Sequence, residues 1–196
     1  MFNLVMPEVE TERLILRPVE ENDAADMFEY AGDPETVKWL SFPLHQSVQE
    51  SRQIIHSLFL KRPEKGLPEP YALVLKENRK MIGTCDIHNI DRFGSGEIGY
   101  VINRKYWNHG YVTEACQKLI ELAFQHIGMR RIEIIHAVEN LRSQRVIEKC
   151  GFVLEGVRRQ YLPNKSGGYS DCRQYSMLKQ EYEARKEDEK RLSNEI

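Results

Sequence analysis

The segment with the clearest chemical potential is residues 96–124, where a strand-like run leads into a long helix through the polar turn Asn108-His109-Gly110. A helix that begins directly after a turn offers unpaired N–H groups and the positive end of its dipole. A glycine in the turn lets a ligand come close to the backbone. This arrangement predicts a phosphate or diphosphate site. It is neither a Walker loop nor a dinucleotide fingerprint, because the Lys-Ser/Thr pair and the three spaced glycines are missing.

Apolar spacing places one strand and two helices before this segment. Residues 13–17 predict a strand that Pro18 ends. Residues 62–70 contain three prolines and a glycine, which predicts a loop. The first helix follows from apolar residues at i, i+3, i+4 and i+7, which are Ala24, Met27, Phe28 and Ala31. The second helix covers residues 48–61, and its predicted apolar side consists of Ile54, Ile55, Leu58 and Phe59.

Strands lie on both sides of the candidate site. Three runs at residues 71–75, 81–90 and 97–102 are separated by short turn signals, so we expect antiparallel neighbours. A helix and a buried strand at residues 132–138 follow. A strand–helix–strand unit of this length is a right-handed crossover, so the strands at 97–102 and 132–138 should run parallel. The apolar stripe of the intervening helix is Val112, Ala115, Cys116, Leu119, Ala123 and Ile127.

A last helix at Leu141–Cys150 and two strands near residues 152–161 and 172–178 complete a single domain over residues 1–180. The expected fold is α+β, with three layers α/β/α. Its sheet is mixed and mostly antiparallel with six or seven strands, and about four helices cover both faces. Residues 181–196 are dense in mixed charges, which predicts a solvated tail, either a frayed helix or disordered.

The composition is that of one globular domain. The chain has 196 residues, of which 41% are hydrophobic and 30% are charged, and this balance excludes a disordered chain. The formal net charge is -2, so nothing attracts the whole molecule to nucleic acid or to an anionic membrane. We therefore expect neither nucleic acid nor membrane as a partner.

Segments for export, membrane insertion and metal binding are not expected. No apolar run reaches the roughly 18 residues of a membrane span, and the N-terminus is acidic where a signal peptide is basic. The four cysteines stand far apart and the six histidines show no ligand spacing with them. We expect reduced thiols, a cytoplasmic location and no metal.

Four motifs occur in a characteristic order: TERLILRP near the start, then GEIGYVI, WNHGYVTEA and NLRSQRVIEKCGF. Together they resemble the GNAT superfamily of acetyl-CoA-dependent N-acetyltransferases. The RimJ/RimL type, which acetylates protein N-termini, is the most similar branch, and the ending YSDCRQYSML is similar to it as well. The resemblance spans residues 8–180 and implies the GNAT, or acyl-CoA N-acyltransferase, fold.

The resemblance also implies where acetyl-CoA binds. The cosubstrate should lie between the parallel strands at 97–102 and 132–138, its pantetheine amides paired with the edge of the first strand and its diphosphate on the turn. Asn140 and Ser143 match the N-x-x-S pattern beside the thioester. The implied binding residues are Tyr100, Val101, Ile102, Trp107, Asn108, His109, Gly110, Tyr111, Val112, Thr113, Asn140 and Ser143.

Acetyl transfer requires a neutral amine. With pKa values of about 10.4 for lysine and about 7.7–8.0 for an α-amine, roughly a tenth of α-amines are neutral at neutral pH, against about one lysine in a thousand. An α-amine therefore needs only a modest base. Glu97 is the predicted base, at the position where several family members place a catalytic glutamate. An exposed or ion-paired residue is its structural alternative, and His88 is an alternative base.

Departure of the thiolate requires an acid, and the oxyanion requires a donor. Ser143 is the predicted acid, with a helix N-cap as its structural alternative. Tyr161 and Tyr169 are alternative acids. The N–H of Val101 or Ile102 is predicted to polarise the thioester carbonyl.

Further residues are interpreted against the same family pattern. Glu114, in the first turn of the helix, is expected to be structural. Arg145 and Lys149 are expected on a solvated face, with CoA phosphates as the alternative. Val112 replaces a small residue, and Leu162 stands where RimL-type enzymes have been assigned a glutamate base. These two departures favour a rival hypothesis, a non-catalytic CoA-binding module.

The acceptor amine stays open at the level of sequence. A protein N-terminus is the first hypothesis, and a small molecule such as a polyamine, an amino acid or an aminoglycoside is the second. A nucleotide-phosphate binder is disfavoured because the lysine and Mg²⁺ ligands of such sites are missing. A homodimer is suggested by the resemblance alone.

Overall fold

One mixed sheet forms the middle layer of the molecule. The structure is a computed structural model that describes residues 4–194. The strand order is β1-β2-β3-β4-β5-β6-β8-β7. The bounds are β1 Val9–Glu10, β2 Leu14–Pro18, β3 Tyr71–Leu75, β4 Met81–His88, β5 Ser95–Ile102, β6 Arg131–Ala137, β7 Val153–Pro163 and β8 Tyr169–Leu178.

Helices cover both faces of the sheet, as the sequence predicts. Two of them continue as wider π-helical turns, α3 through Ile55–Phe59 and α4 through Leu122–Ile127. The bounds are α1 Ala24–Ala31, α2 Pro34–Val37, α3 Val48–Ile54, α4 Tyr111–Glu121, α5 Leu141–Cys150 and α6 Lys179–Asn194. The α+β class, the three layers and the mostly antiparallel sheet are confirmed.

The predicted element counts were too low. Residues 4–194 form eight strands and six α-helices, rather than six or seven strands and about four helices. Two of the missed elements, β1 and α2, have two and four residues, which is too short to show a hydrophobic period. The third, α6, corresponds to the charged tail, for which the sequence left a frayed helix and disorder as alternatives because it shows no apolar stripe.

Residues alternate along the strands between two hydrophobic cores. In β2 and β3, Leu16 and Leu73 face α4 and α5, whereas Ile15 and Val74 face α1 and α3. One exception concerns the second predicted helix, where Leu58 is 48% exposed although Ile55 is fully buried. Leu58 lies off the buried side of this helix, whereas Phe59, one turn after Ile55, packs against the core.

The C-terminal helix packs against the domain through its first turns. Tyr182 lies 5.1 Å from Phe124, ring centre to ring centre. Arg185 donates to the carbonyls of Cys150 and Gly151 and so caps the end of α5. The division at residue 180 stays a prediction, and residues 195 and 196 lie outside the described residues. None of the helices described is long and apolar enough to span a bilayer.

Candidate active site

The central feature of the sheet is a gap between β5 and β6. The two strands are parallel, as predicted, but they pair only where Ser95–Glu97 meets Arg131–Glu133. Beyond this point β5 continues to Ile102 along β4, and β6 continues along β8. The strands therefore separate, and the edge of β5 that faces β6 is left open.

The register of β5 decides which of its main-chain groups face the gap. The Asn103 N–H donates to the Ile82 carbonyl of β4, at 2.8 Å. Because backbone groups alternate along a strand, the N–H and carbonyl of Val101 also point to β4. Tyr100 and Ile102 point to the gap instead. The sequence offered the N–H of Val101 or of Ile102 as the donor to the thioester carbonyl. The Val101 N–H belongs to the β4–β5 ladder, so only the Ile102 N–H faces the gap.

Trp107 closes the far end of the open edge. Its indole Nε1 donates to the Ile102 carbonyl at 2.9 Å. The Arg142 guanidinium of α5 lies over the indole, 4.6 Å from the ring centre. The accessible edge of β5 thus includes the N–H and carbonyl of Tyr100 and the N–H of Ile102, whereas the Ile102 carbonyl is taken by Trp107.

The turn before α4 presents bare helix N–H groups. Asn108 and Gly110 both have positive φ, of 64° and 82°, which turns the chain sharply into the helix. Gly110 is the N-cap, and no side chain hydrogen-bonds to the first turn. The N–H groups of the first turn have no partner further back in the helix. This end of α4 therefore fits a diphosphate.

Arg13 and Glu114 fix the turn from behind. The Arg13 guanidinium donates to the His109 carbonyl at 2.9 Å and to Glu114 Oε2 at 2.7 Å. Glu114 Oε1 also accepts from the Thr11 hydroxyl at 2.5 Å. Burial opposes the charge of Glu114, but these donors outweigh it and lower its pKa. The contacts agree with the structural role expected for Glu114.

Helix α5 brings a hydroxyl pair to the gap. The Asn140 side chain accepts from the Ser143 N–H at 3.2 Å and so caps the helix. The cap alternative considered for Ser143 is therefore wrong. Its Oγ lies instead 2.8 Å from the Tyr100 hydroxyl. Burial raises the pKa of Tyr100, which keeps that hydroxyl protonated.

A cavity of about 290 Å³ connects these groups. It runs from the first turn of α4 along β5 and α5, and it ends at α2. Of the thirteen residues proposed for the site, eleven line it, whereas Glu97 and His109 do not. The eleven are Tyr100, Val101, Ile102, Trp107, Asn108, Gly110, Tyr111, Val112, Thr113, Asn140 and Ser143. The His109 ring stacks on Tyr111, with ring centres 5.8 Å apart.

Glu97 lies at the base of the gap on the opposite face of the sheet. Its Oε2 accepts from Asn89 Nδ2 at 3.0 Å, and its Oε1 lies 3.6 Å from His88 Nε2. Burial alone would raise the pKa of Glu97, but the hydrogen bonds from His88 and Asn89 outweigh it and lower the pKa. Burial also opposes the charge of His88, yet its bonds to Asp86 and Glu97 prevail and raise its pKa to about 9. Glu97 is thus a carboxylate beside an imidazolium.

Some lining residues were assigned differently or missed by sequence reasoning. Arg145 and Lys149 were expected on a solvated face. They line the cavity instead, because α5 forms one of its walls. The lining also includes Glu35 and Trp39 of the α2 region. No sequence signal marked these two, because the short α2 has no period of its own.

The remaining alternative residues lie on the β7–β8 hairpin. Tyr161 is 43% exposed and Tyr169 is 64% exposed, and neither lines the cavity. Leu162 pairs with Ser170 within the hairpin. Lys165 ties the hairpin to the loop after α2 through the Phe42 carbonyl, at 2.5 Å. Within residues 4–194, no three His, Cys, Asp or Glu side chains are grouped to hold a metal.

A mixed sheet that opens between two parallel strands, with a bare helix N-terminus at the mouth of the gap, defines the fold of acyl-CoA N-acyltransferases. The sequence pattern of the family described as "Acetyltransferase (GNAT) domain" matches residues 13–153. The chain belongs to this family, and the resemblance in its sequence is confirmed. It is an acetyl-CoA-dependent N-acetyltransferase.

Three known proteins illustrate the relationship. The chain is 35% identical to "Uncharacterized N-acetyltransferase p20" of Bacillus licheniformis, over 90% of this chain and 99% of the relative. It is 27% identical to the "Ribosomal-protein-serine acetyltransferase" of Escherichia coli, over 76% and 84%. A spermidine N-acetyltransferase from Vibrio cholerae, solved in complex with CoA and spermine, shares the fold with a TM-score of 0.75 at 20% identity, over 86% and 97%.

Proposed function

We propose that this acetyltransferase modifies the N-terminal α-amine of a polypeptide, by direct attack on acetyl-CoA that lies in the gap between β5 and β6. The observation that carries the proposal is the separation of these strands after Glu97 and Glu133. It leaves an open strand edge on the side of α4 and α5. It also leaves a carboxylate, Glu97, on the other side.

The cavity supports a long thiol ester on the side of α4 and α5. The Tyr100 edge and the Ile102 N–H suit the pantetheine amides by strand addition. The bare N–H groups after Gly110 suit the diphosphate. The basic side chains of Arg145 and Lys149 at the α5 wall add positive charge for the remaining phosphate.

The two candidate catalytic groups approach the gap from opposite faces. Tyr100 packs with the core under α4 and α5, and Val101 packs with the core under α1 and α3. Since residues alternate along β5, Glu97 shares the face of Val101. The thiol and the amine would therefore meet through the gap, which favours direct transfer in a ternary complex.

The reaction assigns one proton to each group. As the amine nitrogen bonds to the thioester carbon, its proton passes to Glu97. The Ile102 N–H is five residues from Glu97 along β5, or roughly 16 Å, so it serves the pantetheine rather than the carbonyl that the amine attacks. When the C–S bond breaks, the Ser143 hydroxyl gives its proton to the departing thiolate and regains one from solvent, while Glu97 releases the amine proton to solvent. Tyr100 stays protonated and holds the Ser143 hydroxyl through the 2.8 Å contact.

The weak basicity of Glu97 favours an α-amine. Its pKa is lowered by His88 and Asn89 despite burial. Such a carboxylate deprotonates neither ammonium ion efficiently, but roughly a tenth of α-amines are already neutral at neutral pH, against about one lysine in a thousand. A neutral α-amine needs only a group that accepts its proton as it attacks. Family relatives include a ribosomal-protein-serine acetyltransferase, which is in keeping with this acceptor.

The sheet surface beside Glu97 also suits a polypeptide. The core under α1 and α3 ends at Val101 of β5. On β6 and β8 the same face carries polar side chains, among them Glu133 and Gln174, which are hydrogen-bonded at 3.0 Å. A surface of this kind can accept an extended peptide as well as its terminal amine.

A small-molecule amine is the alternative acceptor, because the fold neighbours include the spermidine N-acetyltransferase. Around Glu97, however, each neighbouring carboxylate has a cationic partner, although Glu133 and Glu155 share one. Asp86 binds Arg62, and Glu133 and Glu155 bind Arg131. A polyamine with several positive charges finds little unpaired negative charge there.

A thiol-release assay with acetyl-CoA tests the acceptor. The panel contains peptides with a free N-terminus, the same peptides N-acetylated but with one lysine, spermidine and an aminoglycoside. We expect turnover with free α-amines only. Turnover with spermidine but not with the peptides would show that the acceptor is a small molecule rather than a polypeptide. Calorimetry with acetyl-CoA tests the cosubstrate independently, and absence of binding at millimolar ligand would refute the proposed cleft.

Two secondary expectations accompany this function. We propose a cytoplasmic location, which the four free cysteines support. A homodimer stays a hypothesis, and size-exclusion chromatography with light scattering measures it directly.

A further inference from the structure

The carboxylate of Glu97 is the last member of a row of alternating charges. The row begins with Arg62, after the wide turn that ends α3. The Arg62 guanidinium binds the Asp86 carboxylate and the carbonyl of Ile87. Asp86 Oδ1 lies 3.4 Å from His88 Nδ1, and His88 Nε2 lies 3.6 Å from Glu97 Oε1.

The row is largely shielded from solvent. The exposed fractions of the side chains are 11% for Arg62, 22% for Asp86, 33% for His88 and 20% for Glu97. Charges covered to this degree need partners, and removal of one partner leaves the next charge uncompensated. A change at Arg62 or Asp86 is therefore transmitted to His88 and from there to Glu97.

We propose that Asp86 and Arg62 are positioning residues for acetyl transfer: they hold the His88 ring with its Nε2–H directed at Glu97, and so fix the orientation of the carboxylate that receives the amine proton. This role rests on the function proposed above, because it takes Glu97 as the base.

The two ring nitrogens of His88 make the orientation dependent on Asp86. A carboxylate at Nδ1 binds the N–H on that side and leaves Nε2 for the opposite partner. Without Asp86 the ring has no fixed rotation, and Glu97 keeps only its bond from Asn89. A base displaced by a fraction of an ångström loses much of its rate advantage.

The space beside Gly99 supports the positioning role of Asp86 independently of charge. A Cβ at this position would lie 3.0 Å from Asp86 Oδ1 and 3.0 Å from His88 Cε1. The strand β5 thus carries a glycine where the Asp86–His88 contact needs room. Gly99→Ala would move the ring without removing a charge.

Two other charged side chains, Arg158 and Glu133, lie near Glu97. Arg158 of β7 contributes to the lowered pKa of Glu97, after burial and the bonds from His88 and Asn89. Glu133 of β6 is in register with Glu97, but Arg131 binds it at 2.9 Å. Neither group contacts Asp86 in the structure, so the Asp86 variant leaves their charges in place.

The experiment measures kcat against pH for acetylation of a free-amine peptide, together with the NMR titration of the His88 Cε1 proton. Asp86→Asn should lower the pH at which His88 titrates, and it should reduce kcat by about 10- to 100-fold with KM for acetyl-CoA unchanged. Arg62→Gln and Gly99→Ala should reduce kcat as well. Arg62→Lys should retain more activity than Arg62→Gln.

The matched control is Asp23→Asn. Asp23 is 6% exposed in its side chain and pairs with Arg17 at 2.7 Å, at the start of α1. The Asp23→Asn variant should lose folding stability but keep the kcat and the pH profile of the unmodified enzyme. If the Asp86→Asn variant does not fold, the kcat values of Gly99→Ala and Arg62→Gln test the positioning role in its place.

The outcomes separate the two proposals. Unchanged kcat in Asp86→Asn, or in both Gly99→Ala and Arg62→Gln, overturns the positioning role while a slow Glu97→Gln keeps the proposed base. An Asp86→Asn effect no larger than that of Asp23→Asn overturns it too. Unchanged kcat in Glu97→Gln removes the base itself, which is a failure of the function proposed above.

Discussion

The Tyr100 hydroxyl lies 2.8 Å from Ser143 Oγ, although the two residues are 43 positions apart in the chain. This contact joins β5 to α5 where the sheet opens. It places beside the cavity a hydroxyl, that of Ser143, which a second, protonated hydroxyl holds in position, and the first prediction follows from that arrangement.

Ser143→Ala should lower kcat by about 100-fold, because the leaving thiolate loses its proton donor. Binding of acetyl-CoA should be unchanged, since the main-chain contacts remain. Steady-state thiol release and calorimetry measure the two quantities. The control is Ser47→Ala, which removes the N-cap of α3 and should leave kcat unaffected. A fully active Ser143→Ala enzyme would exclude this residue as the acid.

Gly110→Ala should weaken acetyl-CoA binding by about tenfold, or about 1.4 kcal/mol, because a side chain at positive φ strains the turn that presents the bare N–H groups of α4; the added Cβ would lie 3.4 Å from Arg13 Nη2, which holds that turn. It should also cost about 1 to 2 kcal/mol of folding stability, because φ is positive. Gly128 has a similar φ of 85°, compared with 82° for Gly110, and lies away from the cavity. Gly128→Ala should therefore show only the loss of stability. Equal affinities of the two variants in calorimetry would contradict the diphosphate site.

Glu97→Gln should lower kcat by about 100-fold or more with an α-amine peptide. The unmodified enzyme should gain activity up to a pH of about 8, where the free α-amine becomes neutral. Glu97 imposes no limit in that range because its pKa is lowered. The control is Glu133→Gln, the neighbour of Glu97 in register on β6, which should retain its kcat at saturating peptide. Comparable losses in both variants would show that general charge, rather than a positioned base, matters.

The contribution of His88 to folding stability should depend on pH. Its pKa in the folded state is raised to about 9 by Asp86 and Glu97, against the opposing effect of burial, from an ordinary value of 6.5. The stabilisation is complete below the ordinary pKa and is lost as the pH rises through the folded-state value. His88→Asn should therefore reduce the free energy of unfolding at acidic to neutral pH and have little effect in strongly alkaline buffer.

Urea denaturation at both pH values measures this difference for His88. The control is His56→Asn, an exposed histidine after α3, which should show the same small effect at both. A His88→Asn penalty that is equal at both pH values would show that the ring acts by packing rather than by charge.

Local signals in the sequence were sufficient for the order of elements and for one end of the site. Helix and strand periods depend on near neighbours, so α1, α5 and β3 were predicted within a residue. The turn at Gly110 was recognisable because a glycine and a helix start are local features as well. The short α2 was missed, and for α6 the sequence left a frayed helix and a disordered tail as alternatives, because neither element has an apolar period.

Contacts between distant segments were decided only by the tertiary structure. The alternation along β5 is a local property, but its register on β4 determines that Val101 points to the ladder and Ile102 to the gap. The separation of β5 from β6, the Tyr100–Ser143 bond and the row from Arg62 to Glu97 depend on how whole layers pack. No spacing within one segment encodes them, since each joins residues from different strands and helices through burial and charge pairing.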